Sequence, residues 1–312
     1  MHVAIAIVGF RNVEDVRKCV AAIARSTYVD YEIVICENGG PAAAAALKSV
    51  LPDALDGGQQ LRVVAAPSNL GYAGGVNLAI RTALDADAWW VLNPDTQIEP
   101  EAMEACVRRL RAGDCDAVGC TIVLPGGRVQ SHGGIWQAAL GRAVSIGYGG
   151  DAGRPVDAEA IEASQSYLNG ACMLVSRRFV EAVGFMREDY FLYCEEVEWF
   201  LRGRARAMRL GYAPDARVVH EAGTTTGSGR AFREMPRMPV YMNERNRLLV
   251  TRDAHALLLP VVAVTALLVI FARFARRRAW RQVGYALAGW TAGLANRRGP
   301  PQWICTDHPQ SA

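Results

Sequence analysis

Acidic side chains follow two strongly apolar stretches of this chain, at positions where a carboxylate could bind a ligand or a metal. Glu37 and Asn38 come directly after one stretch, and Asp95 comes shortly after the second. A carboxylate at position 37 can accept hydrogen bonds from a base N–H or from ribose hydroxyls. One carboxylate together with phosphate oxygens is a typical way to hold Mg²⁺ or Mn²⁺. Taken alone, either position is also compatible with an ordinary turn.

A third acidic group, Glu195, Glu196 and Glu198, precedes Trp199 and follows an aromatic stretch at 190–193. Clustered carboxylates raise one another's pKa, which favours a general base that works near neutral pH. The alternative is that the three acids complement the positive end of a helix dipole.

A glycine-rich segment, 69–77, and a single histidine, His220, complete the candidate residues. The segment opens a predicted helix, so its backbone could approach a nucleotide closely. It lacks the Gly-x-Gly-x-x-Gly spacing and follows the third predicted strand, which distinguishes it from a dinucleotide fingerprint. His220 ends a predicted strand before a loop at 221–229, where it could serve as a further metal ligand. We expect this loop to close over the bound nucleotide ligand.

Alternating strands and helices must position these residues. The rhythm predicts an α/β fold with a doubly wound, mostly parallel sheet, in which ligands lie outside the carboxyl ends of the strands. After residue 123 it changes to a smaller, glycine-rich mixed β section at 125–165, followed by a strand near 171–175. The apolar runs that predict the first strands are 3–8, 31–36, 61–65 and 89–92.

The bulk composition narrows the class of protein. With 312 residues and 51% apolar side chains, the chain can bury a sizeable core. A net charge of only +3 argues against a nucleic-acid partner. The eight cysteines include no Cys-x-x-Cys pair, which is typical of reduced core thiols in a cytosolic protein. Residues 2–8 are interpreted as a buried strand rather than as a signal peptide.

The C-terminal segment has a different character. Residues 254–272 form an uncharged run of 19 residues if His255 is neutral, which as a helix would be about 28 Å long. Pro260 and the flanking charges favour a helix that lies on a membrane or packs on the domain over one that spans. Such an apolar, basic segment favours an anionic membrane surface, with a solvated helical face as the alternative. Residues 254–306 contain no acid and seven arginines: Arg273, Arg276, Arg277, Arg278, Arg281, Arg297 and Arg298.

Seven short motifs together resemble the family 2 glycosyltransferases with the GT-A fold, particularly bacterial rhamnosyltransferase-like members. None is specific alone, but they occur in family order and at family spacing between about residues 3 and 249. The motifs are Ile7-Val8-Gly9-Phe10-Arg11-Asn12, Cys36-Glu37-Asn38-Gly39, Asn69-Leu70-Gly71-Tyr72-Ala73-Gly74-Gly75-Val76-Asn77, Leu92-Asn93-Pro94-Asp95, Asn169-Gly170-Ala171-Cys172-Met173-Leu174, Phe191-Leu192-Tyr193-Cys194-Glu195-Glu196-Val197-Glu198 and Val219-His220.

The resemblance assigns roles to individual residues. Glu37 and Asn38 would contact the base and ribose of the donor. Asp95 and His220 would bind a divalent metal, Mg²⁺ or Mn²⁺, on the diphosphate, and Glu196 would be the catalytic base. Glu37 and Glu196 stand where the family usually has Asp. The further substrate-binding residues that we predict are Phe10, Asn69, Gly74, Asn77, Asn93, Gly170, Glu195 and Trp199. Asn93 also replaces the first Asp of the Asp-x-Asp motif, a change frequent among rhamnosyltransferase-like members.

The implied function is an inverting, metal-dependent hexosyl transfer, with rhamnose as one candidate sugar. The donor would be a dTDP- or UDP-linked sugar, and the acceptor a hydroxyl of a saccharide or lipid-linked saccharide in cell-surface polysaccharide synthesis. A non-catalytic, membrane-attached GT-A-like scaffold subunit is one alternative. A sugar nucleotidyltransferase is another, but it would need a glycine-rich phosphate loop after the first strand, where this chain has only Gly9.

The resemblance also implies how the chain is divided and where it works. We expect a GT-A domain at 1–250, with a nucleotide-binding half at 1–123 and an acceptor and catalytic half at 124–250. A helical, membrane-associating tail at 251–312 would follow. The protein is then expected in the cytoplasm, peripheral on the inner face of the cell membrane.

Overall fold

The computed structural model describes residues 1–221 and 231–306. Its first part alternates strands and helices, as the apolar runs predict. These elements are β1 (Val3–Gly9), α1 (Val13–Ile23), β2 (Tyr31–Glu37), α2 (Pro41–Val50), β3 (Leu61–Ala65), α3 (Gly71–Thr82) and β4 (Ala88–Leu92).

The middle of the chain is more irregular. Its elements are β5 (Thr96–Ile98), α4 (Ala102–Arg111), β6 (Ala117–Val123), β7 (Val129–Ser131), β8 (Gly134–Gln137), β9 (Arg142–Ser145), α5 (Ala158–Ser164), β10 (Cys172–Ser176), α6 (Arg177–Val183), α7 (Glu195–Arg204) and β11 (Leu210–His220).

Within the described residues, nine strands form one sheet in the order β3-β2-β1-β4-β10-β6-β11-β5, with β7 paired to β6. Strands β3, β2, β1 and β4 run parallel, and β11 runs parallel to β6. Strand β10 enters antiparallel between β4 and β6, and β8 and β9 form a separate hairpin. The predicted α/β fold with a smaller mixed β section is confirmed.

Both faces of the sheet are buried, which explains why its strands are apolar throughout. On β1, Val3 and Ile5 belong to one apolar layer, whereas Ala4 and Ala6 belong to the opposite layer. Successive strand residues point to opposite faces, so a strand covered on both sides needs apolar residues at every position. The helices therefore cover both faces of the sheet. Ligands can reach it only at the edge where β1, β2 and β4 end.

Four helices end the described chain: α8 (Arg237–Ala254), α9 (Leu259–Phe274), α10 (Trp280–Leu294) and α11 (Gln302–Thr306). Helix α10 packs on α8 at two glycines. A Cβ on Gly289 would lie 2.2 Å from the carbonyl oxygen of Tyr241, and one on Gly293 would lie 2.7 Å from that of Arg245. The two backbones are therefore in direct contact. The predicted domain boundary at residue 250 falls inside α8.

Candidate active site

The end of β2 places Glu37 at the carboxyl edge of the sheet, fully buried. Its Oε1 accepts hydrogen bonds from the backbone N–H groups of Arg11 (3.0 Å) and Gly39 (2.7 Å). Its Oε2 has no hydrogen-bond partner among the described residues. A Cβ on Gly9 would lie 2.6 Å from Oε2, so glycine is needed there. Because an unpaired buried acceptor is costly, Oε2 is suited to a ligand that brings an N–H or O–H.

Asn38 shapes the glycine-rich turn beside this carboxylate. Its Nδ2 donates to the carbonyl of Gly71 (2.8 Å), and its Oδ1 accepts from the N–H of Leu70 (3.3 Å). Asn69 supports the same turn by accepting from the N–H of Gly71 (3.0 Å). Gly71 has a φ of 72°, and a Cβ there would lie 2.1 Å from the carbonyl oxygen of Phe191. The predicted contacts of Asn38 and Asn69 with the donor remain predictions.

The loop after β4 and the end of β11 bring Asp95 and His220 together. Asp95 Oδ1 lies 3.1 Å from Nε2 of His220, and each side chain is only 8% exposed. Asn93 Nδ2 lies 3.2 Å from the same Nε2. Nδ1 of His220 lies 2.8 Å from Oε1 of Gln130. If Nδ1 carries the proton and donates to Gln130, the lone pair of Nε2 accepts from Asn93 and is available to a metal beside Asp95 once that bond is released.

This pair fits a divalent metal that shares its coordination with a diphosphate. It offers a carboxylate oxygen and an imidazole nitrogen, both of which are ligands for Mn²⁺, whereas Mg²⁺ prefers the oxygen. Across residues 1–221 and 231–306, no group of three or more His, Cys, Asp or Glu side chains is arranged to hold a metal. The donor set therefore suits an ion that depends on substrate oxygens for the rest of its coordination.

Helix α7 begins with the acidic group. Glu195 is buried and Glu196 is half-buried. Burial raises the pKa of Glu196 to about 7. Burial first, and then the charge of Glu196, raise the pKa of Glu195 well above its ordinary value. A carboxyl that is half ionised near neutral pH is suited to general-base catalysis.

The segment before β10 connects the predicted metal position to the predicted base. The backbone N–H of Asn93, which directly follows β4, donates to the carbonyl of Ala171 (3.0 Å). A Cβ on the neighbouring Gly170 would lie 3.7 Å from the carboxyl carbon of Glu196. The Tyr72 hydroxyl donates to the Gly170 carbonyl. Burial first, and then the nearby charges, which include those of Glu195, Glu196 and Asp95, raise the pKa of the Tyr72 hydroxyl. The hydroxyl of Tyr72, which is bound to Gly170, is therefore close enough to both Asp95 and Glu196 to be affected by their charges.

The loop that leads into α7 has an unusual backbone. Phe191, Tyr193 and Cys194 have φ angles of 66°, 70° and 66°. Residues other than glycine rarely adopt this conformation, which costs about 1–3 kcal/mol each and persists only where the surroundings enforce it. The backbone N–H of Tyr72 donates to the carbonyl of Phe191 (2.8 Å), so the loop also contacts the glycine-rich turn.

Comparison with known sequences agrees with this geometry. The family model described as "Glycosyl transferase family 2" matches residues 5–142. The chain is 23% identical to the low-salt glycan biosynthesis hexosyltransferase Agl10 of Haloferax volcanii over 253 residues, which are 75% of this chain and 76% of that protein. It is 32% identical over 191 residues to the N-acetylglucosaminyl-diphospho-decaprenol L-rhamnosyltransferase of Mycobacterium tuberculosis, which is 54% of this chain and 61% of that protein.

Residues 5–142 of the chain belong to glycosyltransferase family 2.

Solved structures share the fold of this family 2 glycosyltransferase. The mannosyltransferase PcManGT from Pyrobaculum calidifontis, in complex with GDP-Man and Mn²⁺, matches with a TM-score of 0.57 and 14% identity over 95% of this chain and 88% of that chain. S. aureus TarS 1–349 in complex with UDP-GlcNAc matches with a TM-score of 0.53 and 11% identity over 95% of this chain and 93% of that chain. The predicted GT-A fold is confirmed.

Two residues of the glycosyltransferase that we predicted to bind substrate are placed in its core instead. Asn77 is fully buried, and its amide bonds both the N–H (3.0 Å) and the carbonyl (2.9 Å) of Met186. Trp199 is fully buried against Phe179, and its indole N–H donates to the carbonyl of Gly184 (2.7 Å). Neither side chain has a polar group left for a sugar or nucleotide, so both predictions are corrected to structural roles.

The other predicted residues lie around the cleft. The backbone N–H of Phe10 donates to Asn12 Oδ1 (3.0 Å), just beyond β1. A Cβ on Gly74 would lie 2.6 Å from Cβ of Leu70, so glycine lets the turn close on α3. Their contacts with substrate remain predictions. In the predicted closing loop at 221–229, Glu221 donates its N–H to the Asp95 carbonyl (3.1 Å), and 222–229 lie outside the described residues.

Sequence reasoning missed three residues that contact the candidate site of the glycosyltransferase. Tyr72 bonds to Gly170, Gln130 to His220, and Asn246 to the loop before α7. Tyr72 lies inside a recognised motif but received no role, because a tyrosine between glycines resembles a spacer. Gln130 had no signal, since its position follows from the β6–β7 pairing. Asn246 had a sequence signal: residues 243–247 read Asn-Glu-Arg-Asn-Arg between the apolar residues 238–242 and 248–250. A polar run that is largely buried needs hydrogen-bond partners.

Proposed function

We propose that this glycosyltransferase transfers a hexosyl unit, with inversion, from a dTDP- or UDP-linked sugar to a hydroxyl of a saccharide or lipid-linked acceptor. The observation that carries the proposal is the half-buried Glu196, with a pKa of about 7, in the same region as the Asp95–His220 pair. The charges of Glu196 and Asp95 both act on the hydroxyl of Tyr72. The M. tuberculosis relative, whose name specifies a diphospho-decaprenol acceptor and L-rhamnose, supports a rhamnosyl donor and a role in cell-surface polysaccharide synthesis.

In this mechanism Glu196 accepts the proton of the acceptor hydroxyl while that oxygen attacks the anomeric carbon. Attack opposite the leaving diphosphate forms the new C–O bond as the old one breaks, so the configuration inverts. On the donor side, Glu37 Oε2 accepts a hydrogen bond from the base or ribose, and the Asn38-supported turn lines the nucleotide. Gly170 lies beside the base, with Tyr72 and Glu196 in van der Waals reach of its Cβ position.

The charge on the departing diphosphate needs compensation in a buried cleft. Asp95 and His220 would hold a divalent ion, which when bound supplies that compensation. Gln130 fixes the orientation of the His220 ring through Nδ1, and the Asn93 amide would give up its bond to Nε2 when the ion binds there. The Mn²⁺ in the solved mannosyltransferase complex supports a divalent cofactor for this chain.

We further propose that α9 lies on an anionic membrane at the cytoplasmic face. Among the described residues one helix, Ala256–Arg277, is long and apolar enough to cross a membrane by length and composition. One side of α9 packs on the protein through Val262, Ala266 and Ile270, whereas Val264 and Leu268 on the other side are 60% and 64% exposed. A helix bound to the domain along one face is suited to lie flat, with the arginines at 276–278 near lipid phosphates.

The decisive experiment is to incubate the purified full-length chain with dTDP-rhamnose or UDP-linked hexoses, with Mn²⁺ or chelator, and to detect transfer or donor hydrolysis. We expect turnover with one donor class, loss of turnover in chelator, and a product of opposite anomeric configuration. A protein that binds nucleotide sugar but turns over none of these donors would contradict catalysis and favour a binding subunit.

A further inference from the structure

Three carbonyl groups of the loop that leads into α7 contact one side chain. Asn246 of α8 is fully buried, and its Nδ2 lies 3.1 Å from the carbonyl of Tyr190, 2.8 Å from that of Leu192 and 2.7 Å from that of Tyr193. An amide nitrogen has only two protons, so these three acceptors share them. Three carbonyls converge on one point only because the backbone between them turns through the left-handed region.

The neighbouring Arg245 completes this arrangement. It is 1% exposed, and its Nη2 donates to the same Tyr190 carbonyl (2.7 Å) while its Nε donates to Asn246 Oδ1 (2.8 Å). The bond from Nε fixes the amide so that its nitrogen must face the loop. Nη1 donates to the carbonyl of Gly299 (2.5 Å), beyond α10. Hydrogen bonds to three uncharged oxygen atoms thus fix the orientation of the Arg245 guanidinium.

The loop sets the direction of the helix on which the base stands. Cys194 is the last residue in the left-handed region, its carbonyl accepts the N–H of Glu198 (3.0 Å), and Glu196 is the second residue of α7. A change in the backbone at 191–194 would therefore rotate the first turn of α7 and move the Glu196 carboxylate away from Gly170.

We propose that Asn246 and Arg245 are positioning residues, which hold residues 190–194 in the conformation that directs the Glu196 carboxylate at the acceptor hydroxyl. This inference rests on the proposed function, because it assigns the base to Glu196. Packing alone would not need this polar pair, since apolar side chains could fill the same volume in a helix core. The polar pair is needed because the carbonyls of a left-handed loop have no partners in regular secondary structure.

Several titratable and charged groups surround the Glu195–Glu196 pair, and they also affect any measured titration of Glu196. They are Cys194 on the same segment, Tyr72 on α3, Tyr167 before β10, and Glu244, Arg245 and Arg247 on α8.

The test compares Asn246→Ala with Asn243→Ala in the full-length chain. Asn243 lies on the same helix, and its amide donates only to the carbonyl of Pro239 within that helix (2.8 Å). In Asn246→Ala we expect kcat to fall about 30-fold with donor KM changed less than about threefold, whereas Asn243→Ala stays near wild type. Arg245→Met should lose activity similarly, and Arg245→Lys should recover part of it by donating to two of the carbonyls.

A double variant separates positioning from general damage. In a Glu196→Gln background, Asn246→Ala should reduce the residual rate less than about threefold, because the carboxylate through which it acts is already lost. An equal 30-fold loss in both backgrounds would overturn the proposal, as would a folded Asn246→Ala variant with wild-type kcat.

A measurement without turnover keeps the proposal independent of the proposed function. In ¹³C-glutamate-labelled protein, the pKa of Glu196 should fall in Asn246→Ala, because the relaxed loop admits water to the carboxylate, and should stay unchanged in Asn243→Ala. An unchanged Glu196 titration in Asn246→Ala would overturn the positioning role. If the wild type transfers no sugar, the proposed function fails and this titration alone decides the role of Asn246.

Discussion

The donor side and the acceptor side of the cleft are held in place by different means. Glu37 and Asn38 lie at the end of a central parallel strand, and their bonds reach only nearby loops. Glu196 depends on a strained loop whose support, Asn246, comes 53 residues after Tyr193 in the sequence. A residue at a sheet edge is as rigid as the sheet, whereas one at a helix start is as rigid as whatever holds its loop. Substitutions far from the site should therefore disturb the acceptor side more easily than the donor side.

The largest effect is expected from Glu196→Gln. The amide keeps the size of the carboxyl but cannot take a proton, so kcat should fall roughly 10²- to 10⁴-fold. Donor affinity, measured by nucleotide-sugar titration, should stay nearly intact because the donor side is separate.

Glu195→Gln is the matched control for this prediction, since it removes the neighbouring carboxyl of the same pair. Its loss should be milder. If Glu195→Gln is inactive and Glu196→Gln is fully active, the base is the other member of the pair.

Asp95→Ala tests the donor side. The variant should lose the extra stabilisation that Mn²⁺ gives to the complex with a nucleoside diphosphate, because the ion loses its carboxylate ligand. Ligand at 100 times its Kd raises the free energy of unfolding by about 2.7 kcal/mol. A thermal melt would show the metal-dependent part of this stabilisation as a higher melting temperature in the wild type only. Asp215→Ala, at an exposed site away from the cleft, is the control. Full activity of the wild type in excess chelator would contradict the metal role.

Gly289→Val tests whether the C-terminal helices support the acceptor side. A side chain there collides with the α8 backbone, and overpacking of this kind costs about 1–3 kcal/mol. We expect a lower melting temperature and a lower kcat with donor affinity retained. Gly284→Val, on the same helix with open space around its Cβ position, should have little effect. Equal damage in both variants would mean that helix propensity, and not the α8 contact, is responsible.

The pH dependence follows from the raised pKa of Glu196. Below about pH 7 the carboxyl is protonated and cannot act as a base, so kcat should fall about tenfold per pH unit. The apparent pKa belongs to the Glu195–Glu196 pair as a whole. A rate that is flat from about pH 5 to pH 8 would exclude a carboxyl with this pKa as the base.

The same pKa predicts an effect on stability. As pH rises through the ordinary value of 4.5, the unfolded chain releases the proton of residue 196 before the folded chain does. Stability is therefore lost between about pH 4.5 and pH 7. Glu196→Gln should consequently gain melting temperature relative to wild type at about pH 8 and show little difference at about pH 4.5, as measured by calorimetry.

The smallest effect concerns α9. Leu268→Ser removes an exposed apolar side chain and should weaken binding to anionic vesicles about fivefold, or ~1 kcal/mol, without changing the melting temperature. Val29→Ser, equally exposed between α1 and β2, should bind as the wild type does. High salt should partly release the wild type, since lipid phosphates attract the arginines. Binding that salt leaves unchanged would favour a spanning helix.

The donor side was predictable from sequence because its signals are local. An apolar run ending in Glu37, and a second followed by Asp95, indicate where strands stop, and parallel strands stop at a common edge. Asn77 and Trp199 were misassigned for a related reason: they stand in motifs near the cleft, but helical periodicity turns their side chains into the core. A motif gives the position of a segment, and its individual side chains then follow the burial pattern of the helix.

The acceptor side could be predicted only in part. The acids at 195–198 are visible in the sequence, but nothing local shows that Tyr193 and Cys194 adopt left-handed backbone, because neither is glycine or asparagine. That conformation comes from α8, whose register against the loop is a property of the whole fold. The packing of α10 on α8 was likewise hidden, since Gly289 and Gly293 in an apolar helix are equally typical of membrane segments.

The hydrogen bond from Arg245 to the Gly299 carbonyl has a practical consequence for anyone who shortens this chain. A protein cut before residue 299, as a soluble catalytic fragment might be designed, would retain a buried guanidinium with one acceptor missing, at a cost of about 1–3 kcal/mol. A cut before α10 would also remove the α10 backbone from its contact with α8. The minimal active unit should therefore extend to about residue 300. An affinity tag belongs beyond that point or on a surface loop, and Met1 is a poor place for one because its amino group pairs with Asp30 at 3.3 Å.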